Sequence, residues 1–176
     1  FTDQSLPTNQ PTLNSDLSVA NLLIDDDNYG TNSVTVTLTG QTLTNAGTLD
    51  IDAGGTLAAS TGTITIAGAT DLNGTLTIST GLVDAEGAWD GTGGTLTFSG
   101  AGDLKLAGAV TAVADTFTAS TGEVTYDGAG AQTVDNLTYY DLTINKSAST
   151  ASLSGTTVVG HNLQVSTTSG TVTLDL

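Results

Sequence analysis

The sequence predicts an all-β fold, a parallel β-solenoid (β-helix) of about seven rungs preceded by an extended N-terminal arm, and three observations lead there. First, the segment Thr56-Leu57-Ala58-Ala59-Ser60-Thr61-Gly62-Thr63-Ile64 returns as Thr75-Leu76-Thr77-Ile78-Ser79-Thr80-Gly81-Leu82-Val83 and as Thr116-Phe117-Thr118-Ala119-Ser120-Thr121-Gly122-Glu123-Val124. Shortened copies lie at Thr35–Gly40 and Thr95–Gly100, so the starts step by roughly 19 to 21 residues, near the short end of the periods that mark solenoids. Second, each copy alternates Thr with Leu, Ile, Val or Phe, the period of a strand with one buried face. Third, helix has little support: Gly occurs 22 times, Thr and Gly are weak helix formers, and no stretch sustains an apolar period of 3.6.

Along the chain, residues 1–32 read as an extended arm and cap and residues 33–176 as the solenoid body. Phe1 to Ser15 holds both prolines, Pro7 and Pro11, among Thr, Asn and Gln, and Leu17 to Ile24 reads as a short cap or first strand. Within the body, Ala-Gly, Gly-Gly, Asn-Gly and Asp-Gly pairs supply the turns between strands. Weaker copies at Leu137-Thr138-Tyr139 and Thr157-Val158-Val159 keep the step. Inward Leu, Ile, Val and Ala columns form a thin continuous core, with Phe98 and Phe117 as bulkier fillers. At about 4.8 Å per stacked strand the rod is roughly 35 Å long. Thr171 to Leu176 ends on a strand pattern without a polar cap. The alternative is an antiparallel β-sandwich, whose shorter strand spacing is echoed by Gly47-Thr48-Leu49, Gly55-Thr56-Leu57, Gly62-Thr63-Ile64 and Gly74-Thr75-Leu76. A sandwich does not require its strands to resemble one another, whereas stacked rungs do.

Composition narrows the function. Two basic side chains, Lys105 and Lys146, stand against 18 acidic ones, for a net charge of -16. A field of that sign repels nucleic acid, which requires several Lys or Arg to displace its counterions. The chain has no Cys and one His, which removes disulfide frameworks, thiol nucleophiles and zinc sites built from Cys and His. No apolar run approaches the roughly 20 residues of a membrane helix. Acidity without Cys or Met, with abundant Thr, Gly, Ser, Asn and Asp, fits an exported protein at a prokaryotic cell surface, where Cys and Met would be oxidised.

The stretch Ala131-Gln132-Thr133-Val134-Asp135-Asn136-Leu137-Thr138-Tyr139-Tyr140-Asp141-Leu142-Thr143-Ile144-Asn145-Lys146, followed by Leu153-Ser154-Gly155-Thr156-Thr157-Val158-Val159-Gly160-His161-Asn162-Leu163, resembles a repeat of very large bacterial surface and adhesin-like proteins. The preceding GTL and GTI repeats are similar to the β-helical passenger regions of autotransporters and filamentous haemagglutinins. The resemblance runs from about Val34 onward and implies a β-helix and an extracellular, cell-surface location.

The function expected is that of a non-enzymatic structural subunit of a surface fibre or filament, self-associating into a homopolymer by end-to-end packing and by strand complementation from the arm. An uncovered terminal strand is a template for another chain, and a contact that does not close on itself generates a filament. The residues expected to carry it are Phe1, Leu6, Pro7, Pro11, Leu174 and Leu176. One alternative is a ligand- or cell-binding adhesin module, with a carbohydrate or a neighbouring cell surface as partner and a pocket around Trp89 and Tyr139/Tyr140. The other is ice binding, through an outward array of Thr35/Thr37, Thr75/Thr77, Thr95/Thr97 and Thr116/Thr118. No cofactor is expected apart from calcium, a hard cation that takes clustered carboxylates; its candidate ligands are Asp25, Asp26, Asp27, Asp50 and Asp52. His161, read as a solvated turn residue, has no nucleophile elbow beside it. Lys105 and Lys146 raise the question of a Lys-Asn isopeptide bond, for which no motif fixes a partner.

Overall fold

The computed structural model describes residues 12–25, 33–147, 149–169 and 171–175. The chain coils through about seven turns of parallel strands. The first turn comprises β1 (Thr12–Leu13), β2 (Leu17–Val19) and β3 (Leu22–Ile24); the second, β4 (Val34–Leu38), β5 (Thr42–Asn45) and β6 (Leu49–Ile51). The third is β7 (Gly55–Ala59), β8 (Thr63–Ile66) and β9 (Thr70–Leu72); the fourth, β10 (Thr75–Ile78), β11 (Leu82–Ala85) and β12 (Trp89–Asp90). Above them come β13 (Thr95–Phe98) and β14 (Asp103–Leu106), then β15 (Thr116–Thr118), β16 (Glu123–Tyr126) and β17 (Gln132–Val134). The top holds β18 (Thr138–Ser147), β19 (Thr150–Leu153), β20 (Val158–Ser169) and β21 (Thr173–Asp175).

Strands in equivalent positions of successive turns pair in parallel and build the sides of the coil. The first face is β1-β4-β7-β10-β13-β15, and the second is the longest, β2-β5-β8-β11-β14-β16-β18-β20. The third side is shared by β3-β6-β9-β12 below and β17-β19-β21 above. Residues 12–24, expected within the arm and cap, are thus the lowest turn of the solenoid: Leu13 pairs with Leu38, Leu17 with Leu43 and Leu22 with Leu49.

Period-2 alternation produces the interior. On the second face Leu43, Ile64, Val83, Leu104, Val124 and Leu142 form one inward column, all 2% exposed or less. Each such side chain contributes about 1.5–3 kcal/mol by leaving water. Where the first-face strands shorten, aromatic rings fill the space. Phe98 and Phe117 meet edge-to-face at 6.1 Å, and Phe117 lies 5.6 Å from Tyr139.

The corners explain the Ala-Gly pairs. Gly47, Gly68, Gly87 and Gly108 lie one above another between the second and third sides, and a Cβ on Gly87 or Gly108 would overlap the peptide oxygen of the glycine one turn below. Close approach of backbone to backbone selects glycine here. At the corner leading into the second face, the equivalent positions are Gly62, Gly81, Gly102 and Gly122, then Tyr140 within β18 and His161 within β20, whose rings stack at 4.7 Å. His161 therefore belongs to strand β20 and not to a turn.

Candidate functional site: the threonine face, the acidic faces and the upper end

The first face gathers the expected threonines into one grid. Thr35, Thr56, Thr75, Thr95 and Thr116 stack in one outward column, and Thr12, Thr37, Ala58, Thr77, Thr97 and Thr118 in the next. The pairing runs from Thr12 to Thr118 without a register shift. No strand of this face carries a charged residue. Spacings are about 4.8 Å between strands and roughly 6.7 Å between alternate residues.

The acidic residues lie on the other sides. Asp50, Asp71 and Asp90 form a column on the third side, bordering a shallow groove with Thr48, Ala88 and Thr111. Burial pushes the Asp50 carboxyl up, and the charges of Asp52, Asp71 and Asp25 add to it. Asn73 Nδ2 donates to Asp71 Oδ1 at 2.8 Å, and the Thr92 side chain and N–H hold Asp90 below the usual carboxylate range. On the second face Asp103, Glu123 and Asp141 stack in register. Burial raises the Asp103 pKa, and Glu123 raises it further. Of the candidate calcium ligands, Asp50 belongs to the third-side column beside Asp25 and Asp52, while Asp26 and Asp27 lie outside the described residues. Among the described residues no group of three or more His, Asp or Glu converges as a metal site.

Of the aromatics named for an adhesin module, Trp89 lines the third-side groove beside Asp50, Asp71 and Asp90, and half-buried Tyr140 stacks on His161 at the second-face corner. Trp89 and Tyr139 are each 1% exposed. The Trp89 Nε1–H donates to Val113 O at 3.0 Å, and Tyr139 OH donates to Asp135 O at 3.0 Å while meeting Tyr126 OH at 3.1 Å. Burial pushes the Tyr126 pKa up to about 12. Amphipathic aromatics serve here as core with satisfied polar ends.

Lys146 is fully buried, which its sequence context did not reveal. Its Nζ donates to Gly128 O at 2.9 Å and to Gln132 Oε1. Gln132 Nε2 in turn donates to Leu106 O at 2.8 Å and Gly108 O at 2.7 Å, and its Oε1 accepts the Gly128 N–H at 3.0 Å. The group is a polar plug at the corner between the second and third sides, and burial lowers the Lys146 pKa. Among the described residues no carboxylate forms an ion pair with it.

The upper end is where the core columns become exposed. Leu163 and Val165 of β20 continue the inward columns through Leu142 and Ile144, yet are 52% and 47% exposed. Beside them Asp141 Oδ1 meets His161 Nδ1 at 2.9 Å and accepts the Asn162 N–H at 2.9 Å. Of the expected assembly residues, Leu174 sits on Ala151 in the last third-side strand, partly buried against the core. Phe1, Leu6, Pro7, Pro11 and Leu176 lie outside the described residues. Sequence reasoning missed Leu163 and Val165, although both sit in the alternating stretch Leu163-Gln164-Val165. No protein-family model, no curated protein and no solved structure matches this chain.

Proposed function

We propose that this chain is a non-enzymatic structural unit of an extracellular surface fibre or filament, joined end to end to its neighbours. The observation that carries the reading is the half-exposed pair Leu163 and Val165 on a final strand whose outer hydrogen-bonding edge faces away from the coil. A parallel β-edge with apolar positions in core register is a template for another strand. Among the described residues the lower end offers the matching edge, where Leu17 opens the same inward column and is 40% exposed. Stacking of like units by translation gives an open, non-closing contact and hence a filament. Acidity, the lack of Cys and Met, and the adhesin-like repeats support the extracellular setting. Electron microscopy of the purified chain tests the proposal. Filaments of solenoid width that disappear in Leu163→Ser/Val165→Thr support it, and monodisperse particles across a range of salt and protein concentration overturn it.

A second reading, ice binding by the first face, is favoured by one specific observation. In a chain of charge -16, this face alone presents a continuous charge-free Thr grid. Regular hydroxyls and methyls without charge suit an ordered water lattice better than an ionic partner. Thermal hysteresis that is lost on Thr77→Lys/Thr97→Lys supports this reading, and none in the wild-type chain ends it.

A further inference from the structure

Resting on the end-to-end reading, we infer that the junction continues the second face in one fixed register: Leu163 of one copy stacks on Leu17 of the next, and Val165 on Val19. Three observations point to that register. The inward column that ends at Leu163 begins at Leu17, and the column that ends at Val165 begins at Val19. Placing Leu163 on Leu17 therefore repeats the step that every internal turn makes, and buries apolar groups that are otherwise about half in water.

The second observation is a recurring cap. Asp16 Oδ1 accepts the N–H of Thr42, the residue stacked above it, at 2.8 Å, and Asp141 Oδ1 accepts the N–H of Asn162 above it at 2.9 Å. Both acids sit one residue before the inward Leu of their strand. Asn162 occupies the same position in the last turn, so its Oδ1 is placed to accept the N–H of Asp16 in the next copy. The third observation is charge. The outward column reads Asp103, Glu123, Asp141 and then Asn162. The acid run stops at a neutral residue, with His161 adjacent, at the level that meets Asp16. Two carboxylates stacked there would repel; a carboxamide does not.

Engineered cysteines read the register directly, because the chain has none of its own. Gln164 and Ser18 belong to one outward column at opposite ends of the second face, so a disulfide between them is intermolecular. In the inferred register their Cα atoms lie about 5 Å apart, within disulfide reach, whereas Ser18 and Ser166 are roughly 8 Å apart, beyond it. Ser18→Cys/Gln164→Cys is expected to give an oxidised ladder beyond dimer, with the 18–164 linkage found by peptide mapping. Ser18→Cys/Ser166→Cys is expected to give none. Asn162→Asp is expected to weaken assembly at neutral pH at least severalfold, beyond the loss of monomer stability that stacking a second carboxylate on Asp141 brings, which the thermal midpoint of the unassembled chain measures. Filaments without the 18–164 linkage, or with the 18–166 linkage in its place, overturn this register but leave end-to-end assembly standing. Absence of filaments in the wild-type chain overturns both.

Discussion

Leu163 lies directly above Leu142 in one inward column, yet Leu142 is 2% exposed and Leu163 52%. One more turn of coil separates a core residue from a surface one of identical type. Leu142→Ala removes packed methyl groups and leaves a cavity, which costs about 2–5 kcal/mol. Leu163→Ala removes groups already half in water and is expected to cost well under 1 kcal/mol in the isolated unit. Urea unfolding at low protein concentration measures the difference. Equal losses for the two variants would mean that the last turn is covered in solution.

Lys146 gives a pH signature. Its buried amine has a pKa below its ordinary value because burial disfavours the charged form, and the Asp127 charge only partly offsets this. Between that depressed folded value and the unfolded value of 10.5, the unfolded chain binds the proton more tightly, so stability rises with pH through that window. Lys146→Met removes the titrating group and leaves Gly128 O and Gln132 Oε1 each short of one donor, a loss of about 1–3 kcal/mol for an unsatisfied group. Urea midpoints from pH 7 to 10 are expected to climb more steeply in wild type than in Lys146→Met. Parallel profiles would show that Lys146 does not titrate in this range.

The repeat and its alternation made the coil legible. Thr56-Leu57, Thr75-Leu76 and Thr95-Leu96 stack in the order that their spacing implies, because equivalent strands of a parallel coil must recur at nearly constant length. The first turn was harder to read, since Leu17-Ser18-Val19 shares only the alternation and lacks the Thr-x-Thr signature. Lys146 was illegible for a different reason. It follows outward Asn145 in strand alternation, but only the tertiary placement of Gln132 and Gly128 provides acceptors that make burial tolerable. Trp89 and Tyr139, named in sequence as the surroundings of a pocket, are core side chains, and Tyr139 packs on Phe117 where the first face narrows after Phe98. Leu163 became a candidate only once the strand above Leu142 was seen to be the last of its sheet.

The glycine column predicts a sharp intolerance. Gly108 sits over Gly87 so closely that an added Cβ would overlap the lower peptide oxygen. Relief requires the two turns to separate, which weakens the flanking ladder bonds, Ala107 N to Ala85 O at 2.9 Å among them. Gly108→Ala is expected to destabilise by about 1–3 kcal/mol, the usual cost of overpacking. Gly130, which has open space around a Cβ, is expected to accept Ala with little change. Comparing the two thermal midpoints checks the close-packed corner, and similar midpoints would disprove it.

Acid is expected to strengthen the folded unit over a defined range. Burial raises the Asp103 carboxyl, Glu123 raises it further, and Lys105 partly offsets both. Asp50 is raised by burial and then by Asp52, Asp71 and Asp25, and Asp127 by burial and then by Asp84. A group with a raised folded pKa binds its proton more tightly when folded. Its contribution is therefore fully present below the unfolded value of 3.8 and is lost as pH rises through the folded value. Asp90 has the opposite sign, since Thr92 lowers its pKa, but it stands alone against three. The thermal midpoint is expected to increase as pH falls from 7 toward about 4, by about 2–4 °C for each kcal/mol regained. Asp103→Asn should flatten part of that rise by removing one of the three titrating groups. The same protonation reduces repulsion between units of charge -16, so filament formation should also grow toward acid and with added salt, which screens the remaining charge. A midpoint that falls steadily from pH 7 to 4 would overturn the assignment of these columns as mutually repelling.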